Sequence, residues 1–381
     1  MKAIQIHEHG GLDVLKLENI SCPSPVKGQV LVDVKATSLN HLDIWVRKGI
    51  PGVPLPLITG SDASGVISVV GENVDESRIG EKVMIQPLIY CGTCKTCLSG
   101  KENLCKSLGI MGENAQGVNA EKIAIDSTQA IVFPENLDFH EAASFALVAQ
   151  TSYQMLINRA NLQSGETVMV WGASSGVGSM AIQIAKAKGA HVIAIAGTNE
   201  KCGKARELGA DDVLNYHSDN MLAQIQSITQ GHGVDLVFEH VGEATWNISM
   251  KSLARGGRVV TCGATTGYKA NLNLTHLFFK QQSVLGSTMG SKSAFEGAME
   301  LLKDEKIKPI INRKFPIDEI RNAHEYLESG AQFGKVVLSY ESPEYHVWSA
   351  YSEFGKFSPN YYQELSKGLL KKKIKCLNFY K

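Results

Sequence analysis

The stretch that decides the fold is Val168-Met169-Val170-Trp171-Gly172-Ala173-Ser174-Ser175-Gly176-Val177-Gly178-Ser179-Met180-Ala181. Four apolar residues run into a glycine-rich turn, and a helical pattern begins directly after the turn. Gly176, Gly178 and Ala181 have the spacing of the motif that holds a dinucleotide pyrophosphate at a helix N-terminus. Because the motif lies between a strand and a helix, it predicts a dinucleotide site that includes Ser175, Gly176, Val177 and Gly178.

The second strand of this unit indicates which dinucleotide is bound. It covers residues 192–196 and ends in Ala196-Gly197-Thr198, where an NAD site carries an acidic residue that accepts from the ribose hydroxyls. Since a carboxylate there would repel a 2′-phosphate, its absence favours NADPH over NADH. Lys201 follows closely, although it is also interpretable as the start of a solvated helix. The predicted cofactor residues at the ends of successive strands are Thr198, Lys201, Tyr216, Val241 and Gly263.

Length and composition limit the class of protein. The 381 residues carry 38 basic and 38 acidic side chains, a balance that argues against a general binder of nucleic acid. We find no apolar N-terminal signal segment and no long uncharged apolar run, so we expect a cytoplasmic protein that does not contact membranes. The length allows two domains with separate cores.

The pattern along the chain predicts an α/β protein with two kinds of domain. Short alternating strands with frequent Gly and Pro turns predict a β-rich, partly open barrel over 1–155, which 292–340 rejoins. Strands and helices alternate over 156–291, and continuous apolar runs there predict a doubly wound parallel sheet covered on both faces. Residues 341–381 form an extra segment with nine aromatic residues and a charge of +3. We expect this tail to pack on the body or to be an appended segment without its own fold.

Four of the eight cysteines are clustered, in the pattern Cys91-x2-Cys94-x2-Cys97-x7-Cys105 within a lobe at about 88–112. Four thiolates from one short excursion can surround a tetrahedral ion, which predicts one structural zinc with no open position. An iron–sulfur cluster is one alternative for such a run, but the fourth cysteine is distant and Lys106, rather than proline, follows it. A site that binds no metal is the other alternative.

Over residues 1–340 the chain resembles the medium-chain dehydrogenase/reductases, which pair a GroES-like catalytic domain with a Rossmann domain. The segments that carry this likeness are Lys35-Ala36-Thr37 through Asp43, Gly60 through Gly65, Gly172 through Gly178, and Phe333-Gly334-Lys335-Val336-Val337-Leu338. In particular, Asn40-His41-Leu42-Asp43-Ile44-Trp45 and Gly60-Ser61-Asp62-Ala63 resemble the quinone oxidoreductase branch. The resemblance implies that the cysteine lobe binds structural zinc and that Lys201 and Tyr216 meet the 2′-phosphate of NADP.

The resemblance also implies that the catalytic zinc of the family's alcohol dehydrogenases has been lost. Its ligand positions are held here by Asn40 and Ser61, with Asp62 at the neighbouring glutamate and Leu147 near the third ligand. An amide, a hydroxyl and an alkyl chain are poor replacements for thiolate and imidazole. A site improvised from His41, Asp62 and His240 is an alternative that their spacing does not support.

Without a Lewis acid, hydride transfer to a quinone or conjugated enone is easier than alcohol oxidation, because the incoming charge spreads over a π system. We therefore expect an NADPH-dependent quinone or enone reductase in which Asn40 donates its amide or holds the nicotinamide, Asp43 orients that loop and Trp45 forms a pocket wall. Asn40 and Asp43 are also interpretable as turn residues, and Trp45 as core. His240 is either a proton donor or a satisfied turn histidine.

Two other functions remain open at this stage, a zinc-dependent alcohol dehydrogenase and a non-catalytic NADPH-binding protein. The expected partner is a small-molecule substrate. We also expect a homodimer, because the apolar strand within 283–288 is suited to edge-to-edge pairing.

Overall fold

The first part of the chain builds a β-rich domain, as its short alternating segments predict. The computed structural model describes residues 1–340, and 341–381, with the predictions made for that tail, lie outside the described residues. The strands are β1 (Lys2–Ile6), β2 (Lys16–Asn19), β3 (Gln29–Leu39), β4 (Leu57–Ile58), β5 (Asp62–Val70), β6 (Lys82–Ile85), β7 (Leu88–Ile89), β8 (Gly109–Ile110), β9 (Lys122–Asp126) and β10 (Ala130–Val132). The helices are α1 (His41–Lys48), α2 (Lys95–Leu98), α3 (Phe139–Ala143) and α4 (Ala146–Tyr153), which continues as a π-helical segment over Gln154–Arg159.

A parallel six-stranded sheet follows, in the order β13-β12-β11-β14-β15-β16. Its strands are β11 (Thr167–Val170), β12 (His191–Ala196), β13 (Asp212–Asn215), β14 (Val234–Glu239), β15 (Leu253–Thr261) and β16 (Ser283–Gly286). The connecting helices are α5 (Gly176–Ala187), α6 (Asn199–Glu207), α7 (Met221–Ile228), α8 (Glu243–Ser252) and α9 (Leu274–Phe279). The strand order reverses between β11 and β14, and ligands of such sheets bind at that point.

The last described part of the chain returns to the first sheet. It contains α10 (Lys292–Lys303), β17 (Ile311–Pro316), α11 (Ile320–Glu328) and β18 (Lys335–Ser339). Strand β18 pairs antiparallel with β3, in a sheet of order β10-β6-β5-β3-β18-β17 with β9 also on β3. Strand β17 is absent from the sequence prediction, because its Arg313 and Lys314 are exposed and break the apolar pattern. The predicted domain limits stay a prediction.

Both faces of the parallel sheet are buried, which explains its uninterrupted apolar strands. Val168, Val170 and Phe238 face a core shared with α4, α5 and α10, whereas Met169 and Val237 face the core under α7 and α8. The β-rich domain has its own core around residues such as Val30, Val32 and Ile67. The α/β fold class, with a Rossmann sheet and a GroES-like β-rich domain, is confirmed. Within residues 1–340, every helix is too short or too polar to span a bilayer.

Candidate cofactor cleft and active site

A cleft of about 1030 Å³ lies at the carboxyl ends of β11 and β14 and extends to α1 of the β-rich domain. Most of the predicted site residues line it, namely Asn40, Trp45, Ser175, Gly176, Val177, Thr198, Lys201, Tyr216, Val241 and Gly263. Of the predicted catalytic and cofactor residues, only Asp43 and Gly178 do not line the cleft, and the four predicted zinc ligands lie apart from it. The fold thus brings together residues from separate parts of the sequence, in a cavity that begins at the glycine turn.

The glycine turn presents the N-terminus of α5 to this cleft. Ser175 is the N-cap, and its hydroxyl accepts a hydrogen bond of 2.8 Å from the N–H of Gly178. The N–H groups of Gly176 and Val177 have no intrahelical acceptor and lie beside the cleft, so they can receive a pyrophosphate. A Cβ on Gly178 would lie only 2.1 Å from the carbonyl oxygen of Gly172. Gly178 therefore serves the close packing of the turn.

The opposite end of the cleft holds the residues predicted to meet the 2′-phosphate. Thr198 caps α6 and accepts from the N–H of Lys201 at 3.2 Å. Burial lowers the pKa of the Lys201 ammonium, and this group donates to the carbonyl oxygen of Gly330. A Cβ on Gly197 would lie 2.6 Å from the hydroxyl oxygen of Tyr216, so only glycine at this position leaves room for the phenol. A cation and a phenol thus lie at the end of β12, where an NAD site carries a carboxylate.

The part of the cleft next to α1 contains the predicted catalytic residues, and we call it the reaction end. Here Asn40 belongs to a buried cluster with Asp62 and Lys335. Nδ2 of Asn40 donates to Oδ2 of Asp62 at 2.9 Å, and Nζ of Lys335 donates to Oδ1 of Asn40 at 2.6 Å. Lys335 and Asp62 also form an ion pair at 3.0 Å with side chains only 4% and 0% exposed. Oδ1 of Asp62 accepts from the N–H of Leu147 at 3.0 Å, whereas the hydroxyl of Ser61 donates away, to the carbonyl of Met111 at 2.8 Å.

Asp43 lies under the loop that carries Asn40. Its Oδ2 accepts from the backbone N–H of Asn40 at 2.7 Å, which ties the start of α1 to its first turn. Burial raises the pKa of the Asp43 carboxyl to about 6, and the N–H of Asn40 and the charge of Lys335 oppose this rise. This contact agrees with the predicted orienting role, which stays a prediction.

Two aromatic side chains complete the reaction end. Trp45 is 39% exposed on α1, lines the cleft, and lies 6.3 Å from the ring of His41. Nε2 of His240 is 3.0 Å from the carbonyl oxygen of Trp171 and 3.3 Å from the hydroxyl of Ser175. Burial lowers the pKa of His240, so the geometry favours a neutral histidine satisfied in its turn.

The four predicted zinc ligands meet in the lobe between β7 and β8. All four Sγ atoms lie within 4.8 Å of one another, and four of their separations lie between 3.4 and 3.9 Å. A tetrahedron with a Zn–S distance of about 2.3 Å has edges of roughly 3.8 Å, so these thiols fit one zinc ion. A hydrogen bond with Thr96 lowers the pKa of Cys94 to about 6, whereas burial raises that of Cys97 to about 12, so the geometry of the four thiols is the argument for a metal site. Over residues 1–340, no other group of three His, Cys, Asp or Glu side chains converges in this way.

Comparison with known proteins agrees with this geometry. The alcohol dehydrogenase GroES-like domain profile matches residues 26–135, and the zinc-binding dehydrogenase profile matches 176–304. Quinone oxidoreductase from Homo sapiens is 30% identical over 351 residues, covering 89% of this chain and 97% of that protein. Acryloyl-coenzyme A reductase from Metallosphaera sedula is 30% identical over 348 residues, covering 89% and 100%. The crystal structure of an NAD-dependent alcohol dehydrogenase superposes with a TM-score of 0.87 at 39% identity, covering 90% and 100%.

The parallel sheet, the glycine turn and these relatives define a nicotinamide-dependent oxidoreductase with a structural zinc lobe. The chain belongs to the medium-chain dehydrogenase/reductase superfamily, which confirms the resemblance seen in the sequence.

Lys335 is the main site residue that sequence reasoning missed. The lysine precedes Val336-Val337-Leu338, and the whole run Lys335–Leu338 is buried in β18. Lysine is almost never fully buried without a partner, so a charged residue inside an otherwise apolar strand was the available signal. Its partners could not be named, because Asp62 and Asn40 precede it by 273 and 295 residues.

Proposed function

We propose that the protein is an NADPH-dependent reductase that transfers hydride to a quinone or a conjugated enone and uses no catalytic zinc. The observation that carries this proposal is the buried cluster of Asn40, Asp62 and Lys335. At the position where the family's alcohol dehydrogenases have the first zinc ligand, this chain has the amide of Asn40. The ammonium of Lys335 lies 2.6 Å from the oxygen of that amide. An amide is a weak zinc ligand, and a zinc ion there would be repelled by a fixed cation in a buried site, so this donor set does not fit a catalytic zinc.

The residues at the reaction end suit an acceptor with a conjugated carbonyl. NADPH supplies the hydride when bound. Asn40 retains one N–H on Nδ2 that is not used by Asp62, and this donor can stabilise charge that develops on the substrate oxygen. Trp45, Leu147 and Met289 form apolar cleft walls that orient the ring or alkene and exclude water. An alcohol, in contrast, must lose a proton before hydride leaves, and these residues offer no Lewis acid for it.

The names of the relatives support this proposal in part. One is a quinone oxidoreductase and another an acryloyl-coenzyme A reductase, and both names describe conjugated acceptors. The similar solved structure is an NAD-dependent alcohol dehydrogenase, which keeps alcohol oxidation as the competing function. The preference for NADPH over NADH is supported by Lys201 and Tyr216 at the end of β12.

We also propose a homodimer formed through β16. This strand is the last of the parallel sheet, so its outer edge is unpaired within residues 1–340. Val284 on β16 is 40% exposed, and the neighbouring Phe278 and Phe279 are 63% and 67% exposed. A second copy paired along this edge would satisfy the backbone groups and cover the apolar side chains.

The experiment that tests the proposed function follows NADPH oxidation with a quinone, a conjugated enone and a saturated aldehyde, and NADP reduction with alcohols. Zinc is measured on the same sample. We expect turnover of the quinone or the enone with one zinc per chain. Two zinc ions per chain, together with alcohol oxidation, would overturn the proposal in favour of an alcohol dehydrogenase. Tight NADPH binding without turnover of any acceptor would identify a non-catalytic binding protein.

A variant of Asn40 tests the residue assignment within the same assay. Loss of one donor to a developing oxyanion lowers kcat about 100-fold, which is the expectation for Asn40→Ala. Asn322→Ala on α11 is the control, because Asn322 is exposed, lies outside the cleft lining and donates to Glu319 at 3.2 Å. If the two variants had equal kcat values, Asn40 would not donate to the substrate.

A further inference from the structure

Asn40, Asp62 and Lys335 form a closed triangle of hydrogen bonds whose polarity is set by charge. An ammonium can only donate, so the atom of Asn40 beside Nζ of Lys335, at 2.6 Å, must be the amide oxygen. A carboxylate can only accept, so the atom beside Oδ2 of Asp62, at 2.9 Å, must be the amide nitrogen. Rotation of the amide by half a turn would place oxygen against carboxylate and nitrogen against ammonium. Only one of the two orientations is therefore stable.

We infer that Asp62 and Lys335 are positioning residues that hold the Asn40 amide in one orientation, with its second Nδ2–H available to the carbonyl oxygen of the substrate. This inference rests on the proposed function, because it assigns a task to the donor that Asn40 offers there. Neither charged residue needs to touch the substrate for this task.

The anchoring of Asp62 supports this role. Its side chain is fully buried, and its Oδ1 accepts from the N–H of Leu147 at 3.0 Å. Leu147 is the second residue of α4, so this N–H has no intrahelical acceptor, and the helix N-terminus stabilises the carboxylate. Asp62 thus has four partners within the protein, because the hydroxyl of Ser38 also donates to its Oδ2 at 3.5 Å, beside Asn40 and Lys335.

The path of Lys335 supports the role from the other side. A Cβ on Gly176 would lie 3.0 Å from Cδ of Lys335, so the lysine stem passes directly beside the glycine turn. The ammonium is thereby fixed between the cofactor turn and Asn40. Donation to the amide oxygen also polarises the amide and strengthens its N–H as a donor, because hydrogen bonds in a chain reinforce one another.

The test removes both charges together, in the double variant Asp62→Asn/Lys335→Met. Single variants would leave an unpaired charge in the core and could fail to fold, whereas the double variant leaves none. Misplacement of a catalytic donor by about 1 Å costs on the order of 100-fold, so we expect kcat for the quinone or enone to fall about 10- to 100-fold. Because Lys335 also lines the cleft beside the glycine turn, kcat is compared at saturating NADPH and the NADPH affinity is measured on the same variant.

The control removes a lysine–aspartate ion pair elsewhere, whose side chains are 33% and 32% exposed. Lys186 and Asp211 form an ion pair at 2.8 Å, and neither residue lines the cleft. The double variant Asp211→Asn/Lys186→Met carries the same chemical changes, and we expect it to keep the wild-type kcat. Equal kcat losses in the two double variants would overturn the inference, because the loss would then come from general destabilisation.

Combination with Asn40→Ala distinguishes positioning from a separate contribution. If the charged pair acts only through Asn40, the triple variant has the kcat of Asn40→Ala within about threefold. Losses that multiply would mean that the pair contacts the reaction independently and would overturn the inference. A weaker NADPH affinity with an unchanged kcat would overturn it as well, since Lys335 would then be a cofactor ligand.

A spectroscopic measurement separates this inference from the proposed function. The measurement is NMR of protein in which asparagine is labelled with a nitrogen isotope. The Nδ2 signals of Asn40 are assigned as those that disappear in Asn40→Ala. We expect two well-separated proton signals with slow solvent exchange in the wild type, and faster exchange in the double variant. Unchanged signals in the double variant would overturn the positioning role. A wild type with protected signals that reduces no quinone or enone would overturn the proposed function instead.

Discussion

Asp43 is a buried carboxyl whose pKa is raised because burial disfavours its charged form. The side chain is buried beneath α1, and its carboxyl has a pKa of about 6. In the unfolded chain the same group has a pKa of about 3.9. Between these values the folded protein binds a proton that the unfolded chain does not bind. The conformational stability that this carboxyl provides is therefore greatest at low pH and is lost as the pH rises through about 6.

We predict that this pH dependence disappears in Asp43→Asn. The melting temperature of the wild type should rise relative to that of the variant as the pH falls from about 7 to about 5, because protonation relieves the buried charge. Thermal unfolding at several pH values measures this difference. Asp219→Asn serves as the control, since Asp219 is exposed. A melting-temperature difference that does not change with pH would contradict the prediction.

Lys201 carries the predicted choice of cofactor. It is the lysine that lines the cleft at the end of β12, whereas Lys204 on the same helix is engaged with Glu200 at 2.7 Å. Loss of a hydrogen bond to a charged phosphate weakens binding about 10- to 100-fold. We therefore predict that Lys201→Ala raises the KM for NADPH by that factor and leaves the KM for NADH unchanged.

Steady-state kinetics with both cofactors measures this effect, and Lys204→Ala is the matched control. Equal changes in the two KM values would show that Lys201 does not distinguish the 2′-phosphate.

The elements of the zinc lobe reach the wall of the cleft. The short 3-10 helix Glu102–Leu104 directly precedes the zinc ligand Cys105. Nδ2 of Asn103 donates to the carbonyl of Thr288 at 3.0 Å, and Oε2 of Glu102 accepts from the N–H of Lys292 at 3.1 Å. The segment between these contacts includes Met289, which packs with Leu88, Leu147 and other residues of an apolar cluster on the cleft wall. The cysteine lobe therefore supports the cleft wall that contains Met289 and Leu147, which we propose to be the substrate side.

We predict that disturbance of this support affects the substrate more than the cofactor. Removal of zinc with a chelator should lower the melting temperature and raise the KM for the acceptor, while NADPH affinity changes little. Asn103→Ala should reproduce the change in KM and keep one zinc per chain, because it removes only the contact to Thr288. Isothermal titration with NADPH, metal analysis and acceptor kinetics test this, and a loss of NADPH affinity equal to the loss of acceptor affinity would contradict it.

At the scale of the whole molecule, the proposed homodimer depends on the exposed edge of β16. We predict that Val284→Lys converts the proposed dimer to a monomer, because a charge on an edge strand opposes pairing with a second copy. Val132→Lys is the control, since Val132 is 52% exposed on β10 at the edge of the other large sheet. Light scattering coupled to size exclusion measures the mass, and a dimer that survives Val284→Lys would place the interface elsewhere.

Sequence reasoning succeeded where the signal is local. The six parallel strands could be identified because both faces of the sheet are buried, so apolar residues such as Val168 and Met169 follow one another without interruption. The cysteine cluster could be identified because all four ligands lie within fifteen residues, from Cys91 to Cys105. Strand β17 could not be identified from the sequence, because its exposed residues interrupt the apolar pattern.

The sequence alone determined the α/β fold, the glycine turn and the zinc lobe, because each depends on spacing within a few turns of chain. The superfamily came from the resemblance of several separate segments between residues 35 and 338. Tertiary structure alone decided how Asn40 is held. Asp62 lies 22 residues after it and Lys335 lies 295 residues after it, and no local rule relates such positions. Burial couples these residues, because a lysine and an aspartate that lose their hydration are stable only when they pair with each other and with the amide beside them.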